Sequence, residues 1–498
     1  MRLFTTFLCA ISVARALGTD YYVAPHGSDK NPGTLEEPWR TVQKAANSLT
    51  PGDTAYLRGG VYREAVQVQA SGDSSAGVVT FTNYPGEKPI LDGANLHVPA
   101  NVDAALLLLV DKSYVTISGL ELRNFSTSKI SAVPAGIFLR GACSHVTIRN
   151  CVIHNIRNLG GRLNRSGNAF GLAVYGSSTT PADNIVIDGN EVHHCRTGLS
   201  ETLTLNGNVT QFQVINNRVH DNNNIGIDFI GFEQTCPDPA QDQAREGVCV
   251  GNTVWNITSQ ANQAYRHNDF SADGIYVDGG TNIVIERNVS HDNDIGVELA
   301  SEHEGKLTSG IILRDNLIFR SRQGGLFLGG YAAARTGGSD GCTVTNNTFW
   351  NNDRLRWGNG EIQLRWRTSN CAFAQNILCA GASGYVLTIP VAASENINNT
   401  FDYNLSWSGT AAPQWLWNNQ PATSLAQWQV ASGQDAHALF ADPQLTSIGS
   451  SLDLRPWITS PAIDAGNPGF QPATGELDID GNPRVQGHAV DLGAAEIR

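Results

Sequence analysis

One residue type at one spacing constrains this chain more than any other feature. An asparagine returns at Asn190, Asn217, Asn252, Asn288, Asn316, Asn347, Asn376 and Asn404, with gaps of 27, 35, 36, 28, 31, 29 and 28 residues. Each follows a short alternation of β-branched or aromatic residues, such as Ile185-Val-Ile187, Phe212-Gln-Val214 and Ile283-Val-Ile285. Self-similarity at a fixed period decides the architecture before any local reading does. Short alternating strands at this period, with no helical stretch between them, predict an all-β chain coiled on itself as a parallel solenoid. In such a stack amide sits over amide, and the asparagine's hydrogen bonds hold a turn whose backbone would otherwise be buried unpaired.

Each central coil has a second strand, written Gly-apolar-x-apolar-x-Gly. Examples are Gly136-Ile-Phe-Leu-Arg-Gly141, Gly171-Leu-Ala-Val-Tyr-Gly176, Gly226-Ile-Asp-Phe-Ile-Gly231 and Gly274-Ile-Tyr-Val-Asp-Gly279. Side chains alternate between faces, so the aliphatic pair fills the bore and the intervening residues form two outward columns. One column reads Phe138, Ala173, Thr204, Asp228, Tyr276, Glu298, Phe327 and Gln363. The other reads Arg140, Tyr175, Asn206, Ile230, Asp278, Ala300, Gly329 and Arg365.

The ends differ from the middle. Residues 1–16 read as a secretory signal, an apolar run closed by Ala14-Arg-Ala16 and too short to span a membrane. Residues 17–52 give a strand, a Gly/Pro turn and one helix that Thr41 can cap, an amino-terminal cap for the first coil. Coils are expected over 53–410, and 411–498 supply final coils and a strand-and-turn cap. Without Arg2 and Arg15 of the leader, 31 basic and 46 acidic residues give a net charge of −15. That charge excludes nucleic acid and anionic membranes as partners, and it disfavours a polyanionic glycan unless a cation intervenes. A secreted monomer is expected.

Eight cysteines remain after the leader, and an even number in an exported chain favours disulfides. Two pairings are arguable: Cys236–Cys249, flanking a Pro- and Gln-rich insertion, and Cys342–Cys371, in the same slot of successive coils. Several N-x-S/T sites point to a glycoprotein, with Asn288 and Asn404 expected to stay unmodified inside the stack.

These phrases, with the Tyr21-Tyr-Val-Ala-Pro25 opening and the Asp480-Gly-Asn-Pro-Arg484 close, resemble secreted right-handed parallel β-helix proteins of the pectate-lyase superfamily. The opening most resembles the amino-terminal cap of family 9 polysaccharide lyases. The resemblance implies a sugar-polymer enzyme with its site on the outer face of the parallel sheet. It also implies aspartate ligands for calcium and a lysine base. This face offers Asp273 and Asp278 but no lysine in either column, and Lys306 is the nearest.

Three carboxylates, Asp228, Asp278 and Glu298, fall on successive coils. Around them stand Glu201, Asn206, Glu233, Asp273, Tyr276, Glu302 and His303. Like charges stacked on neighbouring strands cost stability, and perturbed acids mark functional sites. One coil step combined with two residues along the strand separates Asp228 from Asp278 by roughly 8 Å, the spacing of an inverting glycoside hydrolase. Asp278 then reads as general acid and Asp228 or Glu298 as base, with no cofactor. Asn206, Glu233, Tyr276, Glu302, His303, Gln363 and Arg365 read as sugar-binding, with Trp366 as a stacking platform. The alternative is calcium-dependent β-elimination on a uronate polymer, with Asp273 and Asp278 as ligands and Lys306, His303 or Arg365 as base. Taken alone, Asp273 reads as a turn residue. Insertions from Phe232 to Arg245 and Ser259 to Ala272 emerge beside the acids and are expected to wall a cleft. His193, His220 and His291 read as a repeated structural slot. A non-catalytic glycan-binding solenoid is the remaining reading.

Overall fold

A computed structural model describes residues 18–409, 411–448 and 451–498; the signal segment 1–16 lies outside them. The chain winds into a right-handed parallel β-helix of three long sheets, one of 16 strands and two of 13. The first strand, Asp20–Val23, already pairs in parallel with Thr54–Leu57, so the cap contributes a strand to the coil stack. Helix Val42–Ser48 begins at Thr41, whose hydroxyl accepts the Lys44 N–H, and Val42, Ala45 and Ala46 cover the first coil. The stack runs past residue 410, because Leu439–Phe440 still pairs with Leu405–Ser408. A second helix, Leu425–Ser432, interrupts these last coils, where only strands and turns were expected.

The asparagine ladder forms as the spacing predicts. Asn217 Oδ1 accepts both the backbone and side-chain N–H of Asn190 at 3.0 Å. The same double contact repeats up the stack to Asn376 on Asn404. Each amide also donates to a carbonyl of the preceding coil, as Asn252 does to Val214. Asp435 closes the ladder by accepting from Asn404 at 3.0 Å. Asn288 and Asn404 are buried, as expected for residues inside the stack.

The bore is lined by the predicted pairs, among them Ile137 and Leu139, Ile275 and Val277, Val297 and Leu299, all buried. Each such side chain contributes roughly 1.5–3 kcal/mol. The opening glycines are required by close packing: a Cβ at Gly296 would lie 2.5 Å from the Gly325 carbonyl oxygen. His154, His193, His220, Trp255 and His291 stack face to face down another sheet, the structural slot expected for these histidines.

The two disulfide expectations are not met: all eight described cysteines are free and buried. Cys236 faces the Ser178 carbonyl while Cys249 contacts Asn252 and Asn288, so the two thiols serve different neighbourhoods. Cys342 and Cys371 do share a slot, but each thiol faces a backbone carbonyl, of Asp340 and Ser369 respectively, without a covalent link. Among the described residues no helix is long and apolar enough to cross a membrane.

Candidate active site

The first outward column survives intact. Register pairs Phe138 with Ala173, Ala173 with Thr204, Thr204 with Asp228, Asp228 with Tyr276, and Tyr276 with Glu298. On this face, strands Asp273–Asp278 and Ile295–Ala300 floor a cleft of about 360 Å³, lined by Tyr265, Asp273, Tyr276, Glu298, Glu302 and Arg365.

Its centre is a carboxyl pair. Asp273 opens its strand and lines the cleft together with Glu298 of the next coil, near enough for each acid to shift the other. Asp273 Oδ1 is buried without a hydrogen-bond partner. Two carboxyls this close in a buried cleft do not both ionise. Burial, then the Glu298 charge, pushes Asp273 well above the carboxylate range. Burial also raises Glu298, but Arg365 and the neighbouring Asp273 work against it. Arg365 Nη1 stands 3.3 Å from Glu298 Oε1, which favours Glu298 as the charged member of the pair and Asp273 as the one that holds a proton. Arg365 is fixed in turn, donating to Gln363 Oε1 at 3.0 Å and lying 3.6 Å over the Phe327 ring. This overturns the reading of Asp273 as a turn residue.

A second cluster adjoins the first. Asp278 is buried and accepts the Glu302 N–H at 2.7 Å. Glu233 Oε1 stands 3.1 Å from His303 Nε2. One ligand atom from each of Glu233, Asp278 and His303 lies within 4.8 Å of the others. Burial, then Glu302, raises Asp278 well above its usual range. Asp273 belongs to the other cluster, so the expected Asp273–Asp278 metal pair does not form.

Several expected roles change. Asp228 is 1% exposed, with Tyr276 between it and Glu298 in the column, so it lies under the face rather than opposite the acid. In the second column Ile230 bridges Gly279 instead of Asp278, while Asp228 still pairs with Tyr276 and Asp278 with Ala300 as counted. Asn206 is occupied by the Thr235 hydroxyl at 2.7 Å. Gln363 props Arg365 and holds Asn359 at 3.0 Å. Trp366 packs against the core and does not line the cleft. Lys306 lies 4.9 Å over the Phe232 ring, lining a separate cavity of that insertion, which removes it as a base in the acid cleft.

Sequence reasoning missed Tyr265 and Tyr331. Tyr265 comes from the 259–272 insertion and donates to Asn224 Oδ1 at 3.1 Å. Tyr331, 57% exposed, lines the mouth of the cleft. An aromatic in each loop beside the acids was the available signal.

Residues 21–190 match a family described as "Pel9A-like, right handed beta helix region", and 246–418 match "Right handed beta helix region". YwoF, an uncharacterized protein of Bacillus subtilis, is 36% identical over 439 residues, 87% of this chain and 91% of YwoF. The chain belongs to this right-handed β-helix family. Within it, pectate lyase PEL9 of Emericella nidulans is 36% identical over 141 residues, 27% of this chain and 34% of PEL9. The solved GH136 lacto-N-biosidase of Eubacterium ramulus shares 15% identity at a TM-score of 0.51, over 85% of this chain and 67% of that one, a likeness of fold alone. The β-helix thus carries differently named activities, and the reaction must be argued from side chains.

Proposed function

We propose that this protein is an exported enzyme that hydrolyses glycosidic bonds in a glycan, using the Asp273–Glu298 pair as its acid. The observation that carries this reading is the pair itself: two buried carboxyls on adjacent coils lining one cleft, with Arg365 placed on Glu298. A departing glycosidic oxygen must be protonated, and a carboxyl raised toward neutral pH can supply that proton. Asp273 donates it, and Glu298, held by Arg365, stabilises positive charge developing on the sugar ring. Glu302, also in the cleft, is the carboxylate left to activate water. Tyr276, Tyr265 and Tyr331 supply ring faces and hydroxyls for sugar binding.

The substrate charge follows from the same residues. Glu201, Asp228, Glu233, Asp273, Asp278, Glu298 and Glu302 crowd one face, and Arg365 is committed to Glu298. A uronate carboxylate would meet acids here rather than a free counter-charge, so the face suits a neutral or basic glycan.

One observation favours a second reading, β-elimination. Glu233 and Asp278 offer oxygens of the kind a hard cation prefers, and Asp228 Oδ1 behind them lacks a partner. A cation held there supplies the charge that would neutralise a uronate carboxylate. The pectate lyase relationship to PEL9 also supports it.

The test is product chemistry on a glycan panel that includes pectate, with and without chelator. We expect new reducing ends, no ultraviolet-absorbing unsaturated sugar, and no effect of chelator. A chelator-sensitive unsaturated product would replace hydrolysis with elimination. Binding without any product would leave a glycan-binding solenoid.

A further inference from the structure

The sheet that bears the acid cleft has a second cavity nearer the amino terminus. It measures about 370 Å³ and sits over strands Val133–Arg140 and Phe170–Gly176, lined by Val102, Phe138, Arg140, Asn168, Phe170 and Tyr175. Phe138, Phe170 and Tyr175 meet one another at ring-centroid distances of 6.2, 5.3 and 5.6 Å, forming an aromatic nest. Beside it the Asn168 Oδ1 is buried without a hydrogen-bond partner. Aromatic faces with a waiting acceptor match a pyranose ring, which presents C–H faces and hydroxyl donors at its edge.

Two features tie this cavity to the acids. Tyr175 lines the aromatic cavity, pairs in register with Asn206 on the next strand, and feels the charges of Glu201 and Glu233. A single insertion also borders both sites. Gln263 donates to the Gly160 carbonyl at 2.7 Å, and Ala264 accepts the Asn164 N–H at 2.9 Å, beside the aromatic nest. The next residues of that insertion, Tyr265 and Asp269, line the acid cleft. Along the column between the two cavities stand Ala173, Thr204 and Asp228, all buried, so a chain that joins the cavities passes over what covers them. Four strand steps from the Phe138 strand to the Asp273 strand span about 19 Å.

Building on the cleavage reading above, we infer that the aromatic cavity is a distal sugar-binding subsite and that the substrate is an extended glycan laid along the sheet across both cavities. A chain long enough to reach Phe138 gains contacts that a short one lacks, so affinity and turnover rise with chain length.

The experiment uses the full chain, its Val102→Trp variant and its Asn168→Ala variant. Val102 is 57% exposed at the rim, so an indole there fills the cavity without entering the core. Binding by calorimetry and turnover are measured separately with xylohexaose, cellohexaose and chitohexaose and with the matching disaccharides. We expect the wild type to prefer a hexasaccharide, and Val102→Trp to weaken that binding about tenfold or more while leaving the disaccharide unchanged. Asn168→Ala should shift hexasaccharide affinity in the same direction by less. Equal affinity for long and short chains, an unaltered Val102→Trp variant, or no binding of any of these sugars overturns the subsite. Length-dependent binding that Val102→Trp abolishes, with no turnover of any sugar, keeps the subsite and sinks the cleavage reading.

Discussion

At the scale of single residues, the face is organised by charge that burial makes expensive. Glu201 is pushed up to about 8, by burial first and then by Glu233 and Glu302. A carboxyl whose folded value exceeds its unfolded one contributes stability below its unfolded value and loses it as pH rises through the folded value. The window here runs from about 4.5 to about 8. Replacing Glu201 by Gln removes the group that must ionise. Thermal melting should therefore rise at pH 8 relative to wild type and stay level at pH 5. An equal shift at both pH values would show that the charge of Glu201 is not the cause. The same residue-scale logic separates Asp273 from Glu298: Arg365 selects which of the two is charged.

At the scale of elements, periodicity explains what the sequence could and could not show. A strand has a side-chain period of two, so the column from Phe138 to Gln363 follows from spacing alone. The asparagine ladder is equally legible, because its register is set by side-chain amides that cannot be left unpaired. Its last rung was hidden: Asp435 replaces asparagine there and follows an inserted helix. An outward side chain is not thereby solvated: Asp228, Tyr276, Asp278 and Glu298 all stand in the outward columns and all are buried. Burial of an outward residue depends on what loops fold over it, and loop paths carry no period. Tyr265 illustrates the point, since Asn262 fastens its loop by donating to the Gly198 and Asn223 carbonyls at 2.6 and 2.8 Å. The Ile230–Gly279 bridge shows the second limit, a local slip at a glycine that takes Ile230 off its counted partner while Asp278 keeps its own on Ala300.

At the scale of the whole molecule, the stack is closed at its far end by charge as well as by indoles. Trp428 is fully buried against Phe401 and Trp417, plugging the bore. The final segment folds back along the coils through Arg484, itself fully buried. Its guanidinium stands 3.1 Å from Asp315 and 3.3 Å from Glu496, and donates to the Asp491 and Gly493 carbonyls. Removing one partner from a buried ion network leaves its counter-charges uncompensated, at a cost of about 3–5 kcal/mol. Arg484→Met should release the 457–498 segment to limited proteolysis before the coils are cut. Unchanged resistance of that segment would show that the network does not fasten it. Because the two ends are sealed, the long sheet face between them is left to present the acids, and the central claim concerns that face.

That claim is that the proton shared by Asp273 and Glu298 drives cleavage. It is tested most directly by kcat for Asp273→Asn on the glycan the wild type turns over, measured beside the melting transition of the same variant. The account predicts a fall in kcat of about 100-fold or more, with a melting temperature equal to or above that of the wild type, because a buried acid has been removed. Activity within twofold of wild type, in a variant that melts normally, would contradict it.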